Sequence, residues 1–159
     1  MVSFRYEMAG YGWADAFLSD GTKTVEIPAS YICDSLGDLT KAVVTLFSED
    51  RSGCGWLEEP GFAAWTFIRN GQDLLIRVDW FNDWPDDSTD LRSLGPDIGT
   101  GREMFSAQTD FLSFVKQLDQ SLQKILDTLG ADGYEKDWDH PYPLEAHVRL
   151  RQELSAHLV

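Results

Sequence analysis

Apolar and polar residues alternate from the first positions of the chain. Val2, Phe4, Tyr6 and Met8 share one parity, and Ser3, Arg5 and Glu7 the other. That two-residue period predicts a half-buried strand over residues 2–8. The same reading gives strands over 11–18 and 22–28, joined by the turn pair Asp20-Gly21, with Pro28 breaking the pattern. From Asp34 the period changes. Leu36, Leu39, Val43, Val44 and Phe47 fall on one helical stripe, with Asp34 or Ser35 as the cap and an end near Ser48.

Three further strands follow over 53–58, 62–69 and 72–81, divided by Pro60-Gly61 and Asn70-Gly71. Asn-Gly is a strong hairpin signal. A two-residue loop there sets Phe67 opposite Leu74, Trp65 opposite Ile76 and Ala63 opposite Val78, six apolar residues on one face. The equivalent loop at Pro60-Gly61 pairs Trp56 with Trp65 and Cys54 with Phe67. Residues 82–100 read as an acidic loop containing Pro and Gly, and 102–107 as a short strand.

Asp110 then caps a helix carrying Phe111, Phe114, Val115, Leu118, Leu122, Ile125, Leu126 and Leu129, stopped by Gly130. A polar, aromatic linker over 131–142 leads to Pro143. The last amphipathic helix runs to about Leu154, with Leu144, Val148 and Leu150 or Leu154 apolar. The pattern predicts a single α+β domain over residues 1–159. Its sheet is largely antiparallel, of about six or seven strands built from hairpins, with two or three helices packed against one face.

Composition adds the charge. The 159 residues hold 27 Asp and Glu against 13 Lys and Arg, a formal net charge of −14. Such a surface repels nucleic-acid phosphates and anionic lipid, and it attracts a basic protein. Hydrophobic residues at 43% and aromatics at 13% are enough to build a core. The first residues lack the apolar stretch of a signal peptide, and no apolar run reaches membrane-spanning length. With two cysteines, Cys33 and Cys54, the chain reads as a cytoplasmic protein without a disulfide framework.

Catalytic motifs are not found: no phosphate-loop signature, no His-Glu-x-x-His, no Gly-x-Ser-x-Gly and no Cys-x-x-Cys. Gly99-Thr100-Gly101 follows no βαβ strand and opens no helix. His140, His147 and His157 read as solvent-facing or helix-end residues, and neither a metal site nor a cofactor is expected. Cys54, between Gly53 and Gly55, reads as core packing, and Cys33 as buried too.

Two stretches suit a protein interface. Residues 79–90 hold Asp79, Asp83, Asp86, Asp87 and Asp90 with Trp80, Phe81 and Trp84 interleaved, aromatic anchors among charges. The calcium-loop template fails there, because Ser88 stands where it needs Gly and Leu94 where it needs Glu. The Asp20-Gly21 hairpin, closed by a two-residue turn, puts Ala14, Ala16, Leu18, Val25 and Ile27 inward. It puts Trp13, Asp15, Phe17 and Glu26 on the other face, with Asp15 directly opposite Glu26. Like charges facing across strands are destabilising, so either a basic partner compensates them or the register is shifted.

The segments Leu18-Ser19-Asp20-Gly21, Ile27-Pro28-Ala29-Ser30-Tyr31, Asp34-Ser35-Leu36-Gly37-Asp38-Leu39, Trp56 with Glu59-Pro60-Gly61, and Tyr142-Pro143-Leu144-Glu145 resemble a family of small acidic bacterial proteins. The class is similar to the immunity proteins of polymorphic toxins. The resemblance covers roughly residues 10–80 and the last helix, and its motifs are structural. It implies a cytoplasmic inhibitor that binds a cognate, basic toxin, and it carries over no site residues; the two stretches above supply the candidate partner-binding residues, Asp79, Phe81, Asp83, Trp84, Asp86, Asp87 and Asp90, and Trp13, Asp15, Phe17 and Glu26. The alternatives are another acidic inhibitor, such as a nucleic-acid mimic, and a small enzyme using carboxylates in a cleft.

Overall fold

The computed structural model describes residues 1–85 and 101–158. Seven strands and four helices lie along them: β1 (Ser3–Gly10), β2 (Trp13–Ser19), β3 (Thr24–Ser30), α1 (Ser35–Thr45), β4 (Arg51–Leu57), β5 (Phe62–Asn70), β6 (Asp73–Phe81), β7 (Arg102–Asp110), α2 (Phe111–Thr128), α3 (Gly130–Trp138) and α4 (Leu144–His157). The α+β class and the antiparallel pairing are as expected. The single sheet is not. The strands form two sheets, β1-β2-β3 and β4-β5-β6-β7, and the described residues hold four helices rather than two or three. The additional helix is α3, inside the segment read as a linker. Its Tyr134 and Trp138 sit one turn apart and are both buried, which supplies the packing that a short polar helix needs.

All three hairpins keep the expected faces and shift the expected partners by two residues. Phe67 pairs with Ile76 and Trp65 with Val78. Cys54 pairs with Trp65 and Trp56 with Ala63. Phe17, not Asp15, stands opposite Glu26, and Asp15 faces Pro28. A slip of two leaves every side chain on its face, whereas a slip of one would turn them all over.

Each shift has a local cause. The Asp20 carboxylate accepts the N–H groups of Thr22 (2.9 Å) and Lys23 (2.7 Å), so the loop closes over Asp20–Lys23 instead of two residues. The Glu58 N–H donates to the Gly61 carbonyl (2.8 Å), closing a four-residue turn. At the third hairpin Asn70 pairs with Asp73, so Gly71, at φ +63°, is the first loop residue, where a II′ turn requires glycine.

One core joins both sheets to the helices. Trp65, Phe67, Leu74, Ile76 and Val78 are fully buried, as the alternation predicts. Phe4 of β1 meets the Trp65 ring edge-on at 6.4 Å and Phe114 of α2 at 5.3 Å, and Tyr6 meets Trp56 at 5.9 Å. The open edge of β1 is satisfied by α2. The Phe4 N–H donates to Gln117 (2.6 Å) and the Tyr6 N–H to Ser121 (3.2 Å), two side chains one helical turn apart. Asp110 caps α2 by accepting the Ser113 N–H at 2.9 Å. Asp34 occupies the N-cap of α1 but makes no side-chain capping bond.

The last helix differs from the expected stripe. His147, Leu150 and Leu154 face inward, while Leu144 and Val148 are exposed. Of the histidines, His157 is exposed near the helix end, but His147 is buried, contrary to the expectation. It joins the Tyr142 hydroxyl (2.8 Å) to the Asp119 carboxylate (2.8 Å), which also accepts from Arg151 (2.8 Å). The relay ties α4 to α2. Cys33 is half-buried rather than buried, and Cys54 is fully enclosed, its thiol pushed up by burial.

Candidate functional site

The outer face of the first sheet is open. β2 turns Trp13, Asp15 and Phe17 outward, β1 adds Arg5 and Glu7, and β3 adds Glu26. Glu7 lies directly opposite Asp15. The one arginine of this group is already engaged. Its guanidinium lies 4.0 Å from the centre of the Phe17 ring, and its Nε contacts Glu7 at 3.1 Å.

The two-residue shift does not separate the expected acidic pair. Glu26 reaches Asp15 diagonally. Its carboxyl is raised above the usual range by a hydrogen bond with Asp15, then by that residue's charge. Carboxyls that close share a proton more readily than they ionise together.

Glu58 completes the group. It follows β4, which meets β3 where the Ser30 hydroxyl donates to the Leu57 carbonyl (3.5 Å). Glu58 is only 7% exposed, and its Oε1 is buried without a hydrogen-bond partner among the described residues. Burial raises its carboxyl first and the Asp15 charge second, to about 7. Trp84 arrives from beyond β6 and donates its indole N–H to the Glu58 carbonyl oxygen. Trp84 is 48% exposed, as is Trp13.

Of the two stretches singled out in the sequence, the second keeps Asp15 and Glu26 in contact, while Trp84 of the first is brought to Glu58, whose carboxyl feels the Asp15 charge. Asp83 is exposed beside Trp84. Asp79 and Phe81 are held elsewhere. Asp79 is buried and takes two hydrogen bonds from Arg77 (2.8 and 3.0 Å), and Phe81 stacks on Phe62 at 5.0 Å. Asp86, Asp87 and Asp90 lie outside the described residues. The sequence reading missed Glu7 and Glu58. The signal for Glu58 was its parity: it continues Cys54 and Trp56, so a carboxylate stands on the inward phase of the strand.

A second polar cluster is internal. Near the start of α1, the Tyr6 and Tyr134 hydroxyls and Asp34 Oδ1 are buried without hydrogen-bond partners among the described residues. Burial is the main cause that raises all three groups. α3 closes over this cluster, with the Trp138 indole donating to the Cys33 carbonyl at 3.2 Å. Among the described residues no group of three or more His, Cys, Asp or Glu is placed to hold a metal ion, and no helix is long and apolar enough to cross a membrane. The chain matches no protein-family model, no curated protein and no solved structure. Function is therefore read from the geometry.

Proposed function

We propose that the protein is an immunity-type inhibitor that binds and neutralises a cognate basic toxin through the outer face of its first sheet. One observation carries this reading: Glu7, Asp15 and Glu26 stand on an open sheet face whose one arginine is engaged, with exposed Trp13 on the same strand as Asp15. Carboxylates in excess of the one arginine steer a cationic partner, and exposed aromatics anchor it. A cytoplasmic setting and a basic protein partner follow from the reading.

The test is binding kinetics against the basic protein that co-purifies at fixed stoichiometry and whose toxicity the chain suppresses. Association slows with added salt, as the screening length falls from ~10 Å at 0.1 M to ~3 Å at 1 M. Neutralising Glu7, Asp15 and Glu26 together lowers the association rate. Trp13→Ala and Trp84→Ala speed dissociation, by about 2 kcal/mol for an anchor. Unchanged rates in all of these variants, with the fold intact, would remove this face as the interface.

The alternative of a small carboxylate-dependent enzyme draws on one observation. A carboxyl raised to about 7 beside a second carboxylate is the pattern of a general acid with a partner. It needs an open cleft, and Glu58 Oε1 is enclosed. The groove of about 370 Å³ between β1 and α2 is lined instead by Tyr6, Met8, Ile125 and Leu129 with Glu7 and Lys124. Turnover that is lost in Glu58→Gln would favour the enzyme.

A further inference from the structure

We propose that the groove between the end of β1 and α2 receives the carboxy-terminal end of a partner protein, extended and apolar in its last residues. The site lies on the edge of the first sheet, not on its outer face, so it does not rest on the reading above.

The edge of β1 is closed along part of its length. Phe4 and Tyr6 turn their N–H groups away from β2, and Gln117 and Ser121 of α2 accept them at 2.6 and 3.2 Å. Strand and helix keep step, because two strand residues advance about 6.8 Å and four helical residues about 6 Å. The next pair in this series is Met8 with Ile125, and an isoleucine side chain accepts nothing. Opposed residues of an antiparallel pair alternate between bonded and non-bonded. Met8, opposite Ala14, therefore points its N–H and carbonyl to the same edge as Tyr6. Neither group finds a partner among the described residues.

An open groove of about 370 Å³ lies at this point, lined by Tyr6, Glu7, Met8, Lys124, Ile125 and Leu129. Successive strand residues send their side chains to opposite faces, so three in a row border one groove through their main chain. Met8 is half-buried and Leu129 is 40% exposed, which leaves the groove accessible to a partner.

The shape and charge of the groove select its occupant. A free main-chain donor and acceptor on a strand edge are matched by an extended chain, one residue of which exchanges both hydrogen bonds with Met8. Ser121 already occupies the edge at Tyr6, so such a chain cannot run on along β1 and has to end there. An antiparallel strand arrives at that closed end with its carboxy terminus, and a parallel one with its amino terminus. Lys124 stands on α2 between Ser121 and Ile125, is exposed, and makes no ion pair among the described residues. Its ammonium attracts a terminal carboxylate and repels a terminal amine, so the carboxy end fits. Glu7, the acid of the lining, is already paired with Arg5 at 3.1 Å. Tyr6, Met8, Ile125 and Leu129 make the walls apolar, which suits an aliphatic last side chain.

The probe is the peptide acetyl-Gly-Val-Leu-Val with a free carboxylate. Beside it stand the same peptide as its C-terminal amide, and Val-Leu-Val-Gly-amide with a free amine. Each is titrated into the intact protein at low salt and followed by amide NMR, with hydrogen exchange of the Met8 N–H. The free acid is expected to shift the Met8, Lys124 and Leu129 amide signals and to slow exchange at Met8. Its amide and the free-amine peptide should bind about fivefold more weakly. Lys124→Gln, a change at an exposed position, should leave the melting temperature unaltered. It should reduce the free acid to the level of the amide and leave binding of the amide as it was.

Equal affinity for the free acid and the amide overturns the carboxylate, and so does a Lys124→Gln variant that keeps the difference between them. Binding that leaves exchange at Met8 unchanged overturns the strand edge. If none of the three peptides moves a signal of the groove, it is no docking site for a chain end and the proposal falls.

Discussion

The two sheets meet one core and treat their far faces in opposite ways. In the first, β2 alternates buried Ala14, Ala16 and Leu18 with outward Trp13, Asp15 and Phe17. In the second, β5 is buried without a break from Phe62 to Phe67. Its outer face carries the Phe62–Phe81 stack and the Arg77–Asp79 pair, with Glu103 at 3.8 Å from the same arginine. A strand buried on both sides reads as a continuous apolar run, and one with a wet side alternates. The contrast decides where the net charge can act. Asp79 belongs to a sheet that neutralises it internally, whereas Asp15 and Glu26 belong to one whose single outward arginine is taken by Glu7 and Phe17.

The largest effect expected from this contrast is in stability. Trp65→Ala opens a cavity where both sheets meet α2 and should cost about 3–5 kcal/mol in urea unfolding. Phe17→Ala removes a half-buried ring under Arg5 and should cost no more than about 1 kcal/mol. Equal costs would mean that the first sheet's outer face is covered in solution, and the distinction between the sheets would fall.

Glu58 sharpens the comparison, because it lies where the open face begins to close. Its folded value is raised, so the penalty of ionising it is absent below the unfolded carboxylate range and grows as pH rises towards about 7. Glu58→Gln should therefore stabilise the protein at about pH 8, by about 1–2 kcal/mol once solvent screening at this edge is allowed for. The gain should vanish near pH 4. Thermal melts at both pH values check it, and a gain independent of pH would contradict the burial of this carboxyl.

The sequence made the faces legible and left the partners across the strands undetermined. Period and parity are carried by each strand alone, so Trp65, Ile76 and Val78 could be placed in the core before any pairing was known. Register depends on which backbone groups close each turn. Asp20 captures two N–H groups, and Glu58 N–H reaches the Gly61 carbonyl, and neither bond is visible in a Gly-containing dipeptide. The division into two sheets is equally non-local, since β3 and β4 are joined by α1 rather than by a hairpin. His147 was misplaced for the same reason: its partners Asp119 and Tyr142 are set by how α4 docks on α2, which no local pattern records. Half of the candidate site was therefore readable, as Asp15, Glu26, Trp13 and Trp84. The buried Glu58 carboxyl was not, because a strand-end turn sets its place.

The smallest effect tests the acidic face itself. Glu26 is exposed, so replacing it should change stability little, but the direction depends on pH in a way that identifies the contact. Its value is raised chiefly by the hydrogen bond with Asp15. The stabilisation from that shared proton is complete below the unfolded carboxylate range and is lost as pH climbs through the raised value. A glutamine amide donates the same hydrogen bond at every pH. Glu26→Gln should then raise the melting temperature near pH 7 and leave it unchanged near pH 4. Combined with Asp15→Asn the gain should be less than additive, because either change alone relieves the same contact. An equal shift at both pH values, or full additivity, would show that the two carboxyls do not meet in solution, and the outer face would be less crowded with charge than its register implies.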